Sequence, residues 1–156
     1  MNKRNIYVDM DGVLADFFGQ TECLKRFERE KDFFYNLKPF VKNVKAIRKA
    51  IADGKDNIFI LTSSPNLQAD RDKIKWLSKY VPEMETENVI IIRNGECKAD
   101  YMRTPDGILF DDYGKNIREW VCKNLGVNRA VKIKADGDIA VGLKALNVLP
   151  LAILNA

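Results

Sequence analysis

The sequence predicts an α/β protein, a three-layer doubly wound parallel sheet, and three observations lead there. Short β-rich runs alternate with stretches of helical periodicity along most of the chain. The runs are mostly continuous apolar segments, as expected of strands buried on both faces. Acidic or hydroxyl residues follow several of them directly, and ligands of open α/β sheets bind beyond the carboxyl ends of the strands.

The first run is Ile6-Tyr7-Val8. About thirty residues then break the alternation, from Ala15 to Phe40, rich in phenylalanine and charge. This is long for a simple crossover helix, and residues 15–40 are expected to form a small helical insert over the end of the sheet. Helical periodicity resumes over Val41–Ala52 and stops at Asp53-Gly54. The second run is Ile58-Phe59-Ile60-Leu61, followed by a helix from about Gln68 to Tyr80 that ends before Pro82. Val89–Ile92 and Ile108-Leu109-Phe110 are the third and fourth runs. A helix over Lys115–Leu125 stops at Gly126, Ala130–Ile133 is the fifth run, and Asp138–Leu146 is a further helix. The apolar tail from Val148 to Ala156 receives no assignment. With 156 residues and no repeat or low-complexity linker, residues 1–156 read as one domain with the insert inside it.

Composition excludes several classes of function. Hydrophobic residues make up 46% of the chain, yet no run approaches the ~18 apolar residues of a membrane span. Only Ile6, Tyr7 and Val8 precede Asp9 as an apolar stretch, too few for a secretory signal, so a cytoplasmic protein is expected. Cys23, Cys97 and Cys122 are widely spaced and suggest neither a disulfide framework nor a zinc site. The net charge of +4 suits an anionic substrate, but the signs are mixed along the chain and form no stripe for polymeric nucleic acid. There is no histidine, so acid–base chemistry near neutral pH falls to carboxylates, lysine, tyrosine or cysteine.

The residues after the strands form one constellation. Asp9-Met10-Asp11-Gly12-Val13 follows the first, Thr62-Ser63-Ser64-Pro65 the second and Asp111-Asp112 the fourth, with Lys98 between the third and fourth. Each piece has a plainer reading. Asp-x-Asp-Gly is often a turn, Thr62 with Ser63 or Asp111-Asp112 could cap a helix, and an isolated lysine usually sits on the surface. Their joint occurrence at strand ends, in this order, argues for a site. Clustered carboxylates repel one another, and a divalent cation relieves this; a few oxygen ligands together with a phosphate oxygen select Mg²⁺. Lysine and hydroxyl donors beside them suit a phosphoryl group.

These residues resemble the haloacid dehalogenase superfamily in its phosphatase branch. Asp9-Met10-Asp11-Gly12-Val13 matches its first motif, Thr62 its second, Lys98 its third and Asp111-Asp112 its fourth. The chain is further similar to the 5′(3′)-deoxyribonucleotidases, through Asp9 to Phe17, Leu61-Thr62-Ser63-Ser64-Pro65, Lys73-Ile74-Lys75-Trp76-Leu77 and Leu109-Phe110-Asp111-Asp112. The insert is short, and no motif of that family follows Lys132. The resemblance implies that Asp9 attacks phosphorus and that Asp11 serves as acid and then base. It implies Mg²⁺ held by the Asp9 carboxylate, the Asp11 backbone carbonyl and the Asp111-Asp112 pair, with the direct ligand of that pair left open. Thr62, Ser63 and Lys98 would hold the phosphate.

Phe17 and Phe18 leave the Asp9 loop directly and are candidates to bind a nucleotide base, although rings crowded in one stretch also suit a local core. The expected partner is a small phosphomonoester, in particular a deoxynucleoside monophosphate. No nucleic-acid polymer and no membrane is expected, and a homodimer is left open. Other small phosphomonoesters remain an alternative. So does a phospho-receiver signalling domain, although Gly12-Val13 and the early position of Thr62 count against it. Intact Asp9, Asp11, Lys98 and Asp111 argue against an inactive binding module.

Overall fold

The computed structural model describes residues 2–123 and 127–148. Its strands are β1 (Asn5–Val8), β2 (Asn57–Ser64), β3 (Val89–Arg93), β4 (Ile108–Asp111) and β5 (Arg129–Lys132). Its α-helices are α1 (Cys23–Arg26), α2 (Val41–Asp53), α3 (Leu67–Tyr80), α4 (Gly114–Cys122) and α5 (Asp138–Val148). The strands form one sheet in the order β3-β2-β1-β4-β5, with every pair parallel. β1 therefore lies at the centre, with Val8 paired to Ile60 of β2 and to Phe110 of β4.

Alternation along the central strands sorts side chains into two cores. Ile6, Val8, Ile58 and Ile60 face Val44 and Ile47 of α2, Trp76 and Leu77 of α3, and Ile139 of α5. Tyr7, Phe59, Leu61 and Leu109 face Trp120 of α4 and Ala99 of the 3₁₀ turn Lys98–Tyr101. Helices on both faces complete the three layers expected of the doubly wound class.

Several boundaries differ from the sequence reading. β2 runs on to Ser64, because Thr62, Ser63 and Ser64 pair with Ile91, Ile92 and Arg93. Thr62 and Ser63 thus end the strand instead of following it. They do not cap α3; Asn66 does, its side chain accepting from Ala69 N at 2.9 Å. β3 is an edge strand, so Val89, Ile90 and Ile91 are only half-buried. α2 ends as read, on Gly54 in the left-handed region with φ 63°. α4 ends at Cys122, with Lys123 already extended, short of the end expected at Leu125 and Gly126; those two residues and the tail beyond Val148 lie outside the described residues.

The insert leaves and rejoins the sheet through a narrow neck. Ala15 bridges Pro39, Asp16 N donates to Lys38 O at 2.8 Å and Phe40 N to Leu14 O at 2.7 Å. Its only α-helix is the single turn α1; the remainder is turns closed on an aromatic core. Phe17 packs edge-on against Phe27 and Phe33, each with centroids 5.7 Å away. Trp76 Nε1 donates to Leu37 O at 2.8 Å and pins this unit to α3. Cys23, Cys97 and Cys122 are free. Among the described residues, no helix is long and apolar enough to cross a membrane.

Asn43, fully buried in the first turn of α2, ties the two ends of the chain together. Its Nδ2 donates to Val13 O at 2.8 Å, and its Oδ1 accepts from Gly137 N at 2.8 Å and Ile139 N at 3.2 Å. Asn43→Ala should lower stability by about 2–4 kcal/mol, because it leaves buried backbone groups unpaired. Thermal unfolding should show a fall of roughly 4–16 °C in Tm; an unchanged Tm would contradict this role.

Candidate active site

The sheet order brings the carboxyl ends of β1, β2 and β4 side by side, and these ends carry Asp9, Thr62 with Ser63, and Asp111-Asp112. Asp9 N continues the ladder by donating to Phe110 O at 2.9 Å. The chain then curls about the Met10 carbonyl, which accepts from Leu14 N at 2.8 Å and Ala15 N at 2.9 Å. Gly12 is required in this turn. Its φ is +79°, and a Cβ there would run into the Asp112 carboxylate.

Asp9, Asp111 and Asp112 place carboxylate oxygens within 4.8 Å of one another. Lys98 reaches into the group from the 3₁₀ turn after β3, its Nζ 2.8 Å from Asp9 Oδ1 and 2.7 Å from Asp111 Oδ2. Asp111 is fully buried, and both its oxygens are engaged. Oδ1 accepts from Tyr113 N at 2.8 Å, and Oδ2 accepts from Asn116 Nδ2 at 3.1 Å as well as from Lys98. Asp112 is only half-buried and less encumbered.

Charge in this small volume is poorly balanced. Burial pushes the Asp9 carboxyl well above its ordinary value; Lys98 opposes the shift, and Asp111, Asp11 and Asp112 add to it. Burial, then repulsion from Asp111, raises Asp112 to about 6. Burial alone would lower Lys98, but Asp9 and Asp111 outweigh it and hold the ammonium firmly protonated. A divalent cation fits this donor set, which consists of hard carboxylate oxygens with no nitrogen or sulfur ligand.

The carboxylate of Asp11 does not join this group. It turns toward α3, where Lys73 Nζ lies 2.6 Å from its Oδ2. Lys73 Nζ also donates to Thr62 Oγ1 and to Ser63 O, each at 2.8 Å. Asp11 Oδ1 is buried and has no hydrogen-bond partner. Of the residues read from the sequence, Asp9, Lys98, Asp111 and Asp112 thus form one cluster, and Asp11, Thr62 and Ser63 form a second around Lys73. Phe17 is packed into the insert, only 7% exposed, whereas Phe18 is 66% exposed and rests edge-on against it, centroids 5.0 Å apart.

Lys73 is the residue that sequence reasoning passed over. It appeared only as part of a helical stretch, although one signal was available: on a helical wheel it falls on the face shared by Ala69, Trp76 and Leu77, all buried here. A lysine on an apolar face needs a partner.

The parallel sheet with these groups at its carboxyl edge agrees with the class expected from the sequence, the phosphatases of the haloacid dehalogenase superfamily. Within it, residues 19–138 match the model of the family described as 5′ nucleotidase, deoxy (pyrimidine), cytosolic type C protein. The match spans more than half of the chain, which belongs to this family of 5′-nucleotidase-like hydrolases. It takes in Thr62, Lys98 and Asp111-Asp112, while Asp9 and Asp11 precede it.

Solved structures agree on the fold. The HAD domain of the effector protein Lem4 from Legionella pneumophila superposes with a TM-score of 0.55 at 14% identity, covering 96% of this chain and 95% of that one. A Burkholderia xenovorans LB400 protein described as a haloacid dehalogenase-like hydrolase gives 0.56 at 12% identity, covering 89% of this chain and 86% of its own. A chain of a Pnkp1/Rnl/Hen1 complex gives 0.57 at 12% identity over 83% of this chain, which spans only 45% of that longer protein. No curated protein sequence matches the chain.

The raised value of Asp112 makes a stability prediction. Its proton is bound more tightly in the folded state, so ionisation opposes folding; the penalty is absent below about pH 4 and complete above about pH 6. Asp112→Asn should remove it. After discounting for the open side of Asp112, a gain of about 1–2 kcal/mol is expected, or roughly 2–8 °C in Tm near pH 7.5 with chelator present. No gain is expected near pH 4, and a gain that did not depend on pH would assign the effect to packing.

Proposed function

We propose that the chain is a Mg²⁺-dependent phosphomonoesterase that forms an aspartyl-phosphate on Asp9 and acts on deoxynucleoside monophosphates. One observation carries the reading: three carboxylates within 4.8 Å of one another, with a buried lysine bonded to the first. Four carboxylates, those of Asp9, Asp11, Asp111 and Asp112, face the ammonium groups of Lys73 and Lys98. Fully ionised, the site has a surplus of negative charge, unsuited to a phosphate dianion until a divalent cation enters.

Asp9 and the less encumbered Asp112 carboxylate would hold Mg²⁺ together with the Asp11 backbone carbonyl, while Asp111, bonded to Lys98, Asn116 and Tyr113 N, would orient the group. When bound, the ion supplies charge neutralisation at the phosphoryl oxygens. Lys98 favours the ionised form of Asp9 against the effect of burial, aligns it, and offers a remaining N–H to the phosphate. The Thr62 hydroxyl accepts from Lys73, so its own hydrogen is directed elsewhere, to a phosphate oxygen. Asp9 attacks phosphorus, and the bond to the leaving oxygen breaks as Asp11 delivers a proton to it. Asp11 then takes a proton from water, whose oxygen attacks the aspartyl-phosphate and frees Asp9 and inorganic phosphate.

The exposed Phe18 ring supports a base-binding role for the insert, which we read as a cap over the site. Phe17 is better suited to hold Phe18 than to meet a ligand. With Phe17, Phe27, Phe33 and Phe34 packed on one another, the insert offers little other aromatic surface, and this favours a second reading in which smaller phosphomonoesters are also hydrolysed.

Phosphate release should be measured with a panel of deoxynucleoside, ribonucleoside and sugar monophosphates. Turnover is expected with Mg²⁺, little with Ca²⁺ and none in excess chelator; full activity in chelator would remove the metal from the mechanism. Asp9→Asn should abolish turnover while leaving the circular dichroism spectrum unchanged, and a folded variant with wild-type turnover would exclude the covalent route. Phe18→Ala should raise KM for a deoxynucleoside monophosphate by roughly 5- to 150-fold, from base–aromatic stacking of ~1–3 kcal/mol. It should barely change turnover of a small alkyl phosphate; equal effects on both would deny contact with the base.

A further inference from the structure

We propose that Lys73 is the positioning residue for the acid–base carboxylate of Asp11, and that Phe34 of the insert holds Lys73 in place. The inference rests on the phosphatase reading and adds a residue to it. Lys73 is fully buried, and a buried ammonium persists only when its donors are satisfied. An ammonium has three N–H groups, and here each has an acceptor: Asp11 Oδ2 at 2.6 Å, Thr62 Oγ1 at 2.8 Å and Ser63 O at 2.8 Å. None remains for a substrate phosphate. Lys73 therefore acts through its neighbours, unlike Lys98, which bonds to Asp9.

The effect on Asp11 is directional. One carboxylate oxygen is fixed by the ammonium, and the other, Oδ1, is buried without a partner. That oxygen is the one the ammonium does not engage, and so the one free to hold the proton. Were Lys73 absent, the carboxylate could rotate about its χ2 bond and turn either oxygen toward the neighbouring acidic cluster. The same ammonium also donates to the buried Thr62 hydroxyl. Proton delivery is thus set by one side chain between the β1 loop and the end of β2.

The insert contributes from the other side. The Phe34 ring lies with its centroid 4.5 Å from Lys73 Nζ, within cation–π range, and is 2% exposed. Three residues along α3, Trp76 bonds to Leu37 O of the insert. Both contacts fix the rotation of α3 about its axis and hence the position of Nζ. The part of the insert nearest the sheet therefore serves the chemistry, apart from any contact that Phe18 makes with substrate.

The test is a kinetic double-mutant cycle on Lys73 and Asp11, with folding checked by circular dichroism. Lys73→Met keeps length and the contact with Phe34 but removes the charge and the donors. It should lower kcat on an alkyl phosphate by about 10²-fold or more, and on p-nitrophenyl phosphate by less than about 10-fold, because a good leaving group needs little protonation. KM should change by less than about 3-fold in both cases. In the Asp11→Asn background the same substitution should cost less than about 3-fold more, since the partner it positions is already disabled. Equal losses on both leaving groups, or losses that multiply in the double variant, would overturn the inference. If Lys73→Met does not fold, Lys73→Gln, which retains a donor toward Asp11, is read by the same ratio; failure of that variant to fold assigns Lys73 to the core and also overturns the inference. A wild-type protein inactive on the whole panel would defeat the phosphatase reading itself, whereas an active wild type with equal losses defeats only the role of Lys73.

Discussion

Asp9, Asp111 and Asp112 are held within 4.8 Å of one another at the ends of adjacent parallel strands, an arrangement that opposes folding unless charge of the other sign is supplied. Much of the surrounding structure answers that requirement. Lys98 is drawn nine-tenths out of solvent to bridge Asp9 and Asp111, although burial alone would disfavour its charge. The backbone N–H of Tyr113 and the amide of Asn116 turn toward Asp111. Gly12 gives up a side chain so that Asp112 has somewhere to lie. A sheet buried between two apolar cores thus maintains a locally destabilised edge, the pattern expected where binding energy is to be recovered from a ligand.

The fold was legible in the sequence where local signals agree. Ile6-Tyr7-Val8 ahead of an acidic loop, Gly54 at the end of a helix and Pro82 beyond another each carry their structural meaning in a few residues. What escaped the reading depends on partners distant in the chain. Val89-Ile90-Ile91 has the composition of a doubly covered strand, yet β3 lies at the sheet edge because the chain crosses to β4 on the far side of β1. Ser63 and Ser64 have the composition of a turn, but pairing with Ile92 and Arg93 keeps them extended. The insert was expected to be helical, and its aromatic rings instead close a core of turns around one short helix.

The site divides in the same way. Residue types and spacing were enough to bring Asp9, Lys98 and the acidic pair together at converging strand ends, whereas Asp11 and Thr62 gather around Lys73 instead. Two distinctions were out of reach. Asp111 and Asp112 are alike in sequence, and only the groups that approach them in space, Tyr113 N and Asn116 beside one and Gly12 beside the other, tell them apart. Two lysines with equal claims to an anion also prove to serve different neighbours, Lys98 the Asp9 cluster and Lys73 the Asp11 side. The partner of a buried lysine is a question of three-dimensional geometry that periodicity can raise but not answer.

The neck of the insert has an evolutionary consequence. Ala15 and Pro39 sit side by side, and the backbone bonds of Asp16 with Lys38 and of Phe40 with Leu14 close the gap beneath them. A segment whose two ends meet can gain or lose length at its tip without changing the register of any strand, and loop-closure entropy rises only slowly with added residues. Descendants of such a chain could rebuild the far part of this segment while the sheet and its acidic edge stay as they are. The lower part, where Leu37 meets Trp76 and Phe34 meets Lys73, would remain the fixed rootstock onto which each new tip is grafted.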